Sequence, residues 1–409
     1  MKIGNCIIAQ SGGPTAAINA TLAGVYSAAA KNFAIGKIYG GMNGIEGILN
    51  EKLVDLKTVL DNKQNLKLLK VTPSSFLGSC RYKIKGGEEG REVFKRIFEI
   101  FEKYNIKYFF YIGGNDSMDT ILQLKKYQEE NGGDVSFIGV PKTIDNDLVC
   151  IDHTPGFGSA AKYIATTIKE IAADTAVYDM DSIVVVEVMG RNAGWLALSA
   201  GLARNSRGEC LADLIYLPEN VFDYDSLIGD IKRIMETKRQ LVIVVSEGIK
   251  LSGGKLIAES DVKDSFGHGQ LGGAAKVVEA VIKEKLGVKT RSVEINVLQR
   301  CAAHMLSARD INESVMIGEA AVEAAFEGKS GVMVTSEREK GNVYSLKIGT
   351  DDITKIANKE KVVPESYMNE SKNGVSEEGL KYLEPLIMGE VEPIYECGIP
   401  KHLVLKDFL

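Results

Sequence analysis

The chain has 409 residues, 45% hydrophobic and 25% charged, and its 49 Lys and Arg against 55 Asp and Glu give a formal charge of -6. That length accommodates two or more domains with their own cores, while the lack of a basic excess removes the electrostatic basis for general nucleic-acid binding. No apolar run approaches the ~20 residues needed to cross a bilayer, and the start Met1-Lys2-Ile3-Gly4 lacks a signal-peptide pattern, so a cytoplasmic protein without a membrane partner is expected.

Short apolar runs alternate with amphipathic stretches along most of the chain, the pattern of an α/β protein whose parallel strands are joined by helical crossovers. The first strand is expected at residues 3–9 and the first helix at 15–31, with Ser11-Gly12-Gly13-Pro14 between them. Backbone amides and a helix N-terminus at such a turn can approach an anion. A tight βα turn that merely needs glycine reads the same way.

A second helix over 91–104 carries Val93, Ile97, Ile100, Phe101 and Tyr104 at helical spacing, which marks a core-facing stripe. The strand at 108–112 then runs into Gly113-Gly114-Asn115-Asp116-Ser117 and a helix over 117–128. This repeats the glycine-turn geometry with polar side chains, of which Asp116 or Ser117 would also serve as a helix cap.

After the strand at 136–140 comes Pro141-Lys142-Thr143-Ile144-Asp145-Asn146-Asp147. A hydroxyl attacking phosphorus must lose its proton, and the transferred group needs its charge neutralised. This segment offers an acid beside a cation and a hydroxyl, although a solvated Asx-rich turn has the same composition. Strand ends of an open α/β sheet diverge into a crevice, so phosphate chemistry is the first expectation for these loops.

Pro and Gly interrupt the pattern at His153-Thr154-Pro155-Gly156-Phe157-Gly158, a plausible boundary. Beyond it a helix is expected at 159–172, with strands at 183–188, 214–217, 241–246 and 292–298, whose continuous apolar character implies burial on both faces. Met189-Gly190-Arg191 and Ser246-Glu247-Gly248 follow two of them, Arg291 and Arg300 bracket the last, and Arg81 closes Phe76-Leu77-Gly78-Ser79-Cys80-Arg81. Arginine stays charged and binds phosphate oxygens bidentately, so these are candidate clamps.

A helix is expected at 301–326, and beyond Gly331 the chain reads as more polar and irregular, with 369–374 an exposed loop. Six cysteines (Cys6, Cys80, Cys150, Cys210, Cys301, Cys397) lack paired spacing, which favours reduced thiols. His153, His268, His304 and His402 are too dispersed for a histidine metal motif.

Taken in order, these blocks together with Leu298-Gln299-Arg300 resemble the phosphofructokinase family over roughly residues 3–335, and within it the pyrophosphate-dependent branch. The resemblance implies two Rossmann-like three-layer αβα domains with mainly parallel sheets and a cleft between them. Residues 1–156 with 300–360 would bind the phosphoryl donor, pyrophosphate, and 157–299 with 361–409 would bind fructose 6-phosphate. Asp145 would be the general base, with Thr143, Lys142 and Arg81 in the catalytic group. Gly13, Gly114, Asn115, Asp116, Ser117 and Lys142 would meet the donor. Thr143, Asp145, Asp147, Met189, Gly190, Arg191, Glu247, Arg291 and Arg300 would meet the sugar phosphate, Arg291 in a neighbouring subunit's site. A homodimer or homotetramer is therefore expected.

The family's ATP-using branch generally has glycine where this chain has Asp116 and Lys142. A carboxylate there would repel a nucleotide's α-phosphate, and the lysine would pair with a terminal phosphate of pyrophosphate. Mg²⁺ is the implied cofactor, at Asn115 and Asp116, with Asn115 standing where the family usually has aspartate. Ser182, Val297 and Pro14 are further departures from the family pattern. The alternatives are an ATP-dependent 6-phosphofructokinase and a non-catalytic subunit that keeps the sugar-phosphate pocket.

Overall fold

The computed structural model describes residues 2–84, 87–263, 269–341 and 343–408, with the backbone alone at 259–263 and 269–271. Met1 and His268, named above, lie outside the described residues. In chain order the strands are β1 (Gly4–Gln10), β2 (Ile35–Gly41), β3 (Leu53–Asp55), β4 (Ile106–Gly113), β5 (Ser136–Pro141), β6 (Ser182–Val188), β7 (Leu214–Tyr216), β8 (Gln240–Ser246), β9 (Glu259–Lys263), β10 (Gly269–Leu271), β11 (Lys289–Glu294), β12 (Val332–Arg338), β13 (Leu346–Asp352), β14 (Tyr395–Glu396) and β15 (Ile399–Pro400).

Seven strands form one sheet in the order β13-β12-β5-β4-β1-β2-β3, and four form another in the order β11-β6-β8-β7. The second sheet is parallel throughout, and the first is parallel except at its edges, where β3 and β13 run antiparallel to their neighbours. Helices cover both faces, so the central strands are buried on both sides and β5 is buried at every residue. Helix Gly87–Lys103 shows the packing: Phe101 lies 5.5 Å between ring centroids from Phe109 of β4. Its buried face is Phe94, Ile97, Ile100 and Phe101, with Val93 and Tyr104 only half-buried at its margins.

Four expectations need correction. The strand expected at 292–298 is β11 at Lys289–Glu294, and residues Leu298–Cys301 are already helical. As an edge strand, β11 pairs only with β6 and is polar but for Val293, so the apolar pattern misplaced its start by three residues. The helix expected from 301 starts at Ala308, where the Ser307 side chain accepts from the Asp310 amide and caps it.

The segment beyond 331 is not irregular. β12 returns to the first sheet beside β5, aligning Val332 with Ile138, and β13 closes that edge. The loop at 369–374 is only partly exposed. Asn373 is buried, donates to Asp230 Oδ2 at 2.7 Å, and accepts on its carbonyl from the Ile215 amide at 2.8 Å.

These registers fix where the loops emerge. In the first sheet β1, β4 and β5 are adjacent, and Gln10 aligns with Ile112 while Gly113 aligns with Pro141. The two glycine turns and the Lys142 segment therefore leave the sheet side by side. In the second sheet Val188 aligns with Ser246, which brings Met189–Arg191 against Glu247.

Candidate active site

The diverging loops enclose a cavity of about 700 Å³. Its walls include Gly13, Arg81, Gly114, Asn115, Asp116, Ser117, Lys142, Thr143, Asp145, Asp147, Met189, Arg191, Glu247 and Arg300. Of the site residues expected from sequence, only Gly190 and Arg291 lie outside this lining.

Gly113 ends β4 in contact with the next turn of chain, because a Cβ there would fall 1.9 Å from Ser117 Oγ. Gly114 then caps helix Asn115–Asn131 without any side-chain hydrogen bond. Asp116 thus is not consumed as a cap: it is exposed, lines the cavity, and leaves the helix N-terminus open to an anion. The Asn115 carboxamide is engaged at both ends, donating to the Lys359 carbonyl and accepting from the Asn358 amide, each at 2.6 Å.

Lys142 is 2% exposed and its Nζ donates to the Gly13 carbonyl at 2.6 Å. Burial pushes its pKa down to about 8, against the pull of Asp145 and Asp147. A Cβ at Gly13 would lie 3.4 Å from Arg300 Nη1, so a second cation reaches the same turn.

The Asp145-Asn146-Asp147 turn is not a solvated Asx turn. Asn146 has a left-handed backbone (φ 53°) and is fully buried, its amide donating to Tyr382 Oη at 2.9 Å and its Oδ1 accepting from the Thr154 amide at 3.1 Å. Thr154 Oγ1 also donates to the Thr143 carbonyl at 2.7 Å. With the middle residue anchored inward, both flanking carboxylates line the cavity.

The Asp145 amide donates to Thr143 Oγ1 at 3.1 Å. Burial raises the Asp145 pKa, with Lys142 opposing it. Asp147 is pushed up to about 7 by burial and by the charge of Asp145, and its Oδ1 is buried with no hydrogen-bond partner. Glu247 is likewise pushed up to about 7 by burial. Carboxyls raised toward neutrality beside buried cations are what proton-transfer and anion sites use.

Gly190 holds Glu247 in place through its backbone: its amide donates to Glu247 Oε1 at 3.3 Å and its carbonyl accepts from Ser246 Oγ. At φ 133°, with a Cβ position 2.7 Å from the Ala193 carbonyl, no other residue fits there. Arg291 is exposed on the edge strand β11.

Sequence reading missed Lys83, Asn358 and Glu360, which also line the cavity. Glu360 accepts from Asn192 Nδ2 at 3.0 Å, and its charge raises both Asp145 and Asp147. Polar residues on a chain segment with no strand or helix pattern carried no signal for this. Among the described residues, no group of three or more His, Cys, Asp or Glu side chains is arranged to hold a metal ion.

This arrangement agrees with comparisons to known proteins. The "Phosphofructokinase" family model matches residues 5–325. A pyrophosphate–fructose 6-phosphate 1-phosphotransferase from Methylococcus capsulatus is 41% identical over 99% of this chain and 96% of its own, and one from Halomonas elongata is 40% identical over 97% and 95%. A pyrophosphate-dependent phosphofructokinase structure from Nitrosospira multiformis superposes with a TM-score of 0.89 at 39% identity, covering 98% of this chain and 96% of that one. A match of that extent, through every loop that builds the cavity, places this chain in the phosphofructokinase family.

Proposed function

We infer that this chain transfers a phosphoryl group from pyrophosphate to the 1-hydroxyl of fructose 6-phosphate, giving fructose 1,6-bisphosphate and orthophosphate, in a reversible reaction. The full-length relatives carry this activity in their names. The observation that carries the donor choice is the pairing of Asp116 and buried Lys142 on one cavity wall. One supplies a fixed negative charge against a nucleotide's α-phosphate, the other an ammonium for a terminal phosphate.

In this reading Asp145 accepts the sugar hydroxyl proton, oriented by Thr143, and burial, by raising its pKa, makes it a stronger base than a solvated carboxylate. Lys142 and Arg81 offset the charge that spreads over the transferring group. Gly13, Gly114, Asn115, Asp116 and Ser117 frame the donor, with Asn115 acting through the 358–359 segment that it clasps. Met189, Gly190, Arg191 and Glu247 hold the sugar, and Arg300 faces its phosphate.

Mg²⁺ is the proposed metal, and Asp116 and the Asp147 carboxylate, whose buried Oδ1 has no hydrogen-bond partner, would hold it together with oxygens of the donor. Mg²⁺ keeps waters and needs few protein ligands, which fits a site without an all-protein cage. When bound, it neutralises pyrophosphate charge.

The seven-strand sheet side is proposed to carry the donor, and the four-strand sheet side the sugar phosphate. Exposed Arg291 on an edge strand supports a homo-oligomer in which it serves a neighbour's site. Among the described residues no helix is long and apolar enough to cross a membrane, and a cytoplasmic location is proposed. Initial rates with fructose 6-phosphate and either pyrophosphate or ATP at matched Mg²⁺ test the reading. Preference for ATP overturns the donor, and thermal stabilisation by the sugar phosphate without turnover on either donor overturns catalysis.

A further inference from the structure

Lys361 lies behind the catalytic loop. Its Nζ donates to Asn146 Oδ1 at 3.2 Å, to the Ile151 carbonyl at 3.1 Å and to the Asp152 carbonyl at 2.8 Å. An ammonium has three donors, and all three are used. Its backbone amide donates to the Asp147 carbonyl at 2.7 Å, and its carbonyl accepts from Trp195 Nε1 at 2.9 Å. The same Nζ sits 5.2 Å from the centre of the Trp195 ring, an energetically favourable cation–π contact.

Lys361 therefore grips residues 146 to 152 with both side chain and backbone and ties them to Trp195, which is 2% exposed. Its neighbour Glu360 lines the cavity, whereas Lys361 does not. Substrate contact is not its role.

We propose that Lys361 is a positioning residue for phosphoryl transfer: its ammonium holds the Asp145-Asn146-Asp147 turn in the one conformation that presents both carboxylates to the cavity. Asn146 adopts a left-handed backbone, which costs a non-glycine residue energy and persists only when surrounding bonds fix it. Of those bonds, the Tyr382 and Thr154 contacts hold the Asn146 side chain from two directions and Lys361 closes the third. Without Lys361 the Ile151 carbonyl loses its ammonium donor and the turn is free to relax. The inference rests on the reading of Asp145 as base, since it concerns where that base sits.

The test uses the full chain with pyrophosphate and fructose 6-phosphate. Lys361→Ala is expected to lower kcat roughly 30- to 100-fold, the scale of displacing a reacting group by about 1 Å, while both KM values stay within about threefold. Ethylammonium in the assay should restore kcat in Lys361→Ala by at least about fivefold and leave the wild type unchanged, because a small cation refills the vacated donors. Asn146→Gly keeps the left-handed backbone but removes the amide. The double variant should fall no further than the worse single one, as for two groups acting as a unit.

A kcat within about twofold of wild type overturns the proposal, as does a loss that ethylammonium leaves untouched and that multiplies with Asn146→Gly. If Lys361→Ala gives no folded protein by circular dichroism, Lys361→Gln, which keeps one donor group on a side chain one bond shorter, is read by the same kcat and KM criteria. Asp145→Ser run in parallel separates the two levels. Undiminished turnover there sinks the reading of the loop, whereas an inactive Asp145→Ser beside a fully active Lys361→Ala sinks only the role of Lys361.

Discussion

Lys142 Nζ donates to the Gly13 carbonyl oxygen across 2.6 Å, joining the loop after β5 to the loop after β1. The bond uses one of three ammonium donors and leaves two for an anion in the cavity. Lys142 is thus a structural bridge and, on the proposed reading, a donor contact at once.

Lys142→Met should remove the contact while keeping the volume. We expect kcat/KM for pyrophosphate to fall about 10²- to 10³-fold, as for loss of a preorganised charge-stabilising donor, with the fructose 6-phosphate KM changed far less. Steady-state kinetics with each substrate varied in turn provide the check, and an unchanged pyrophosphate kcat/KM would refute the assignment.

Asp145→Ser should lower kcat by at least ~10²-fold with a smaller change in substrate affinity, the signature of a lost general base. Substrate binding measured by calorimetry on the same variant distinguishes this from a collapsed pocket. Near-normal turnover would remove Asp145 from the role.

Asp116 stands at the open N-terminus of helix Asn115–Asn131 without capping it. If its carboxylate excludes nucleotides, Asp116→Gly should raise kcat/KM for ATP at least about tenfold, the effect of removing a repulsive specificity element. An ATP rate that does not move would show that exclusion resides elsewhere in the cavity.

The pH profile should be a narrow bell. On the proposed reading, turnover requires Asp145 ionised and Lys142 protonated. Burial raises Asp145 above the ordinary carboxylate range and pushes Lys142 down to about 8, so activity should rise with pH as Asp145 ionises and fall as pH passes 8. Lys142→Arg retains its charge at every accessible pH. It should keep the acid limb and weaken the alkaline one to the part set by Lys361, which burial also pushes down to about 8, and an alkaline limb identical to wild type in that variant would assign the whole limb to Lys361.

Asp147 also implies a stability cost. Its folded pKa of about 7 lies above the ordinary 3.8, so the folded state binds the proton more tightly than the unfolded chain. Its contribution to stability is therefore fully present below the unfolded value and lost as pH rises through 7. Asp147→Asn should raise the Tm of the ligand-free protein at pH 8 by about 1–3 °C, and the gain should shrink toward pH 5. Scanning calorimetry at both pH values decides it. A lower Tm at pH 8 would mean that the ionised carboxylate is satisfied in the fold.

The family blocks, the central strands and most of the cavity lining were legible in the sequence for a physical reason. A strand buried on both faces must be largely apolar, as β5 is after Ser136, and a phosphate-facing turn at its end must bring glycine and charge together within a few residues. Those are local requirements, and they leave local patterns such as Gly113-Gly114-Asn115-Asp116-Ser117.

Edge strands follow a weaker rule. β11 and β13 each have a single neighbour and carry polar residues, so one was displaced in the reading and the other unseen. The start of helix Ala308–Phe326 depended on the Ser307 cap, which residue pattern alone placed too early.

What the linear chain determined by itself was most of the groups that line the cavity, because their chemistry is concentrated at strand ends. What only tertiary structure decided was their support. Asn146 is turned inward by Tyr382, 236 residues away, Lys361 reaches it from 215 away, and Asn115 clasps the chain at 358 and 359. Hydrogen bonds of that span depend on how β12 returns beside β5, and no spacing along the sequence encodes them.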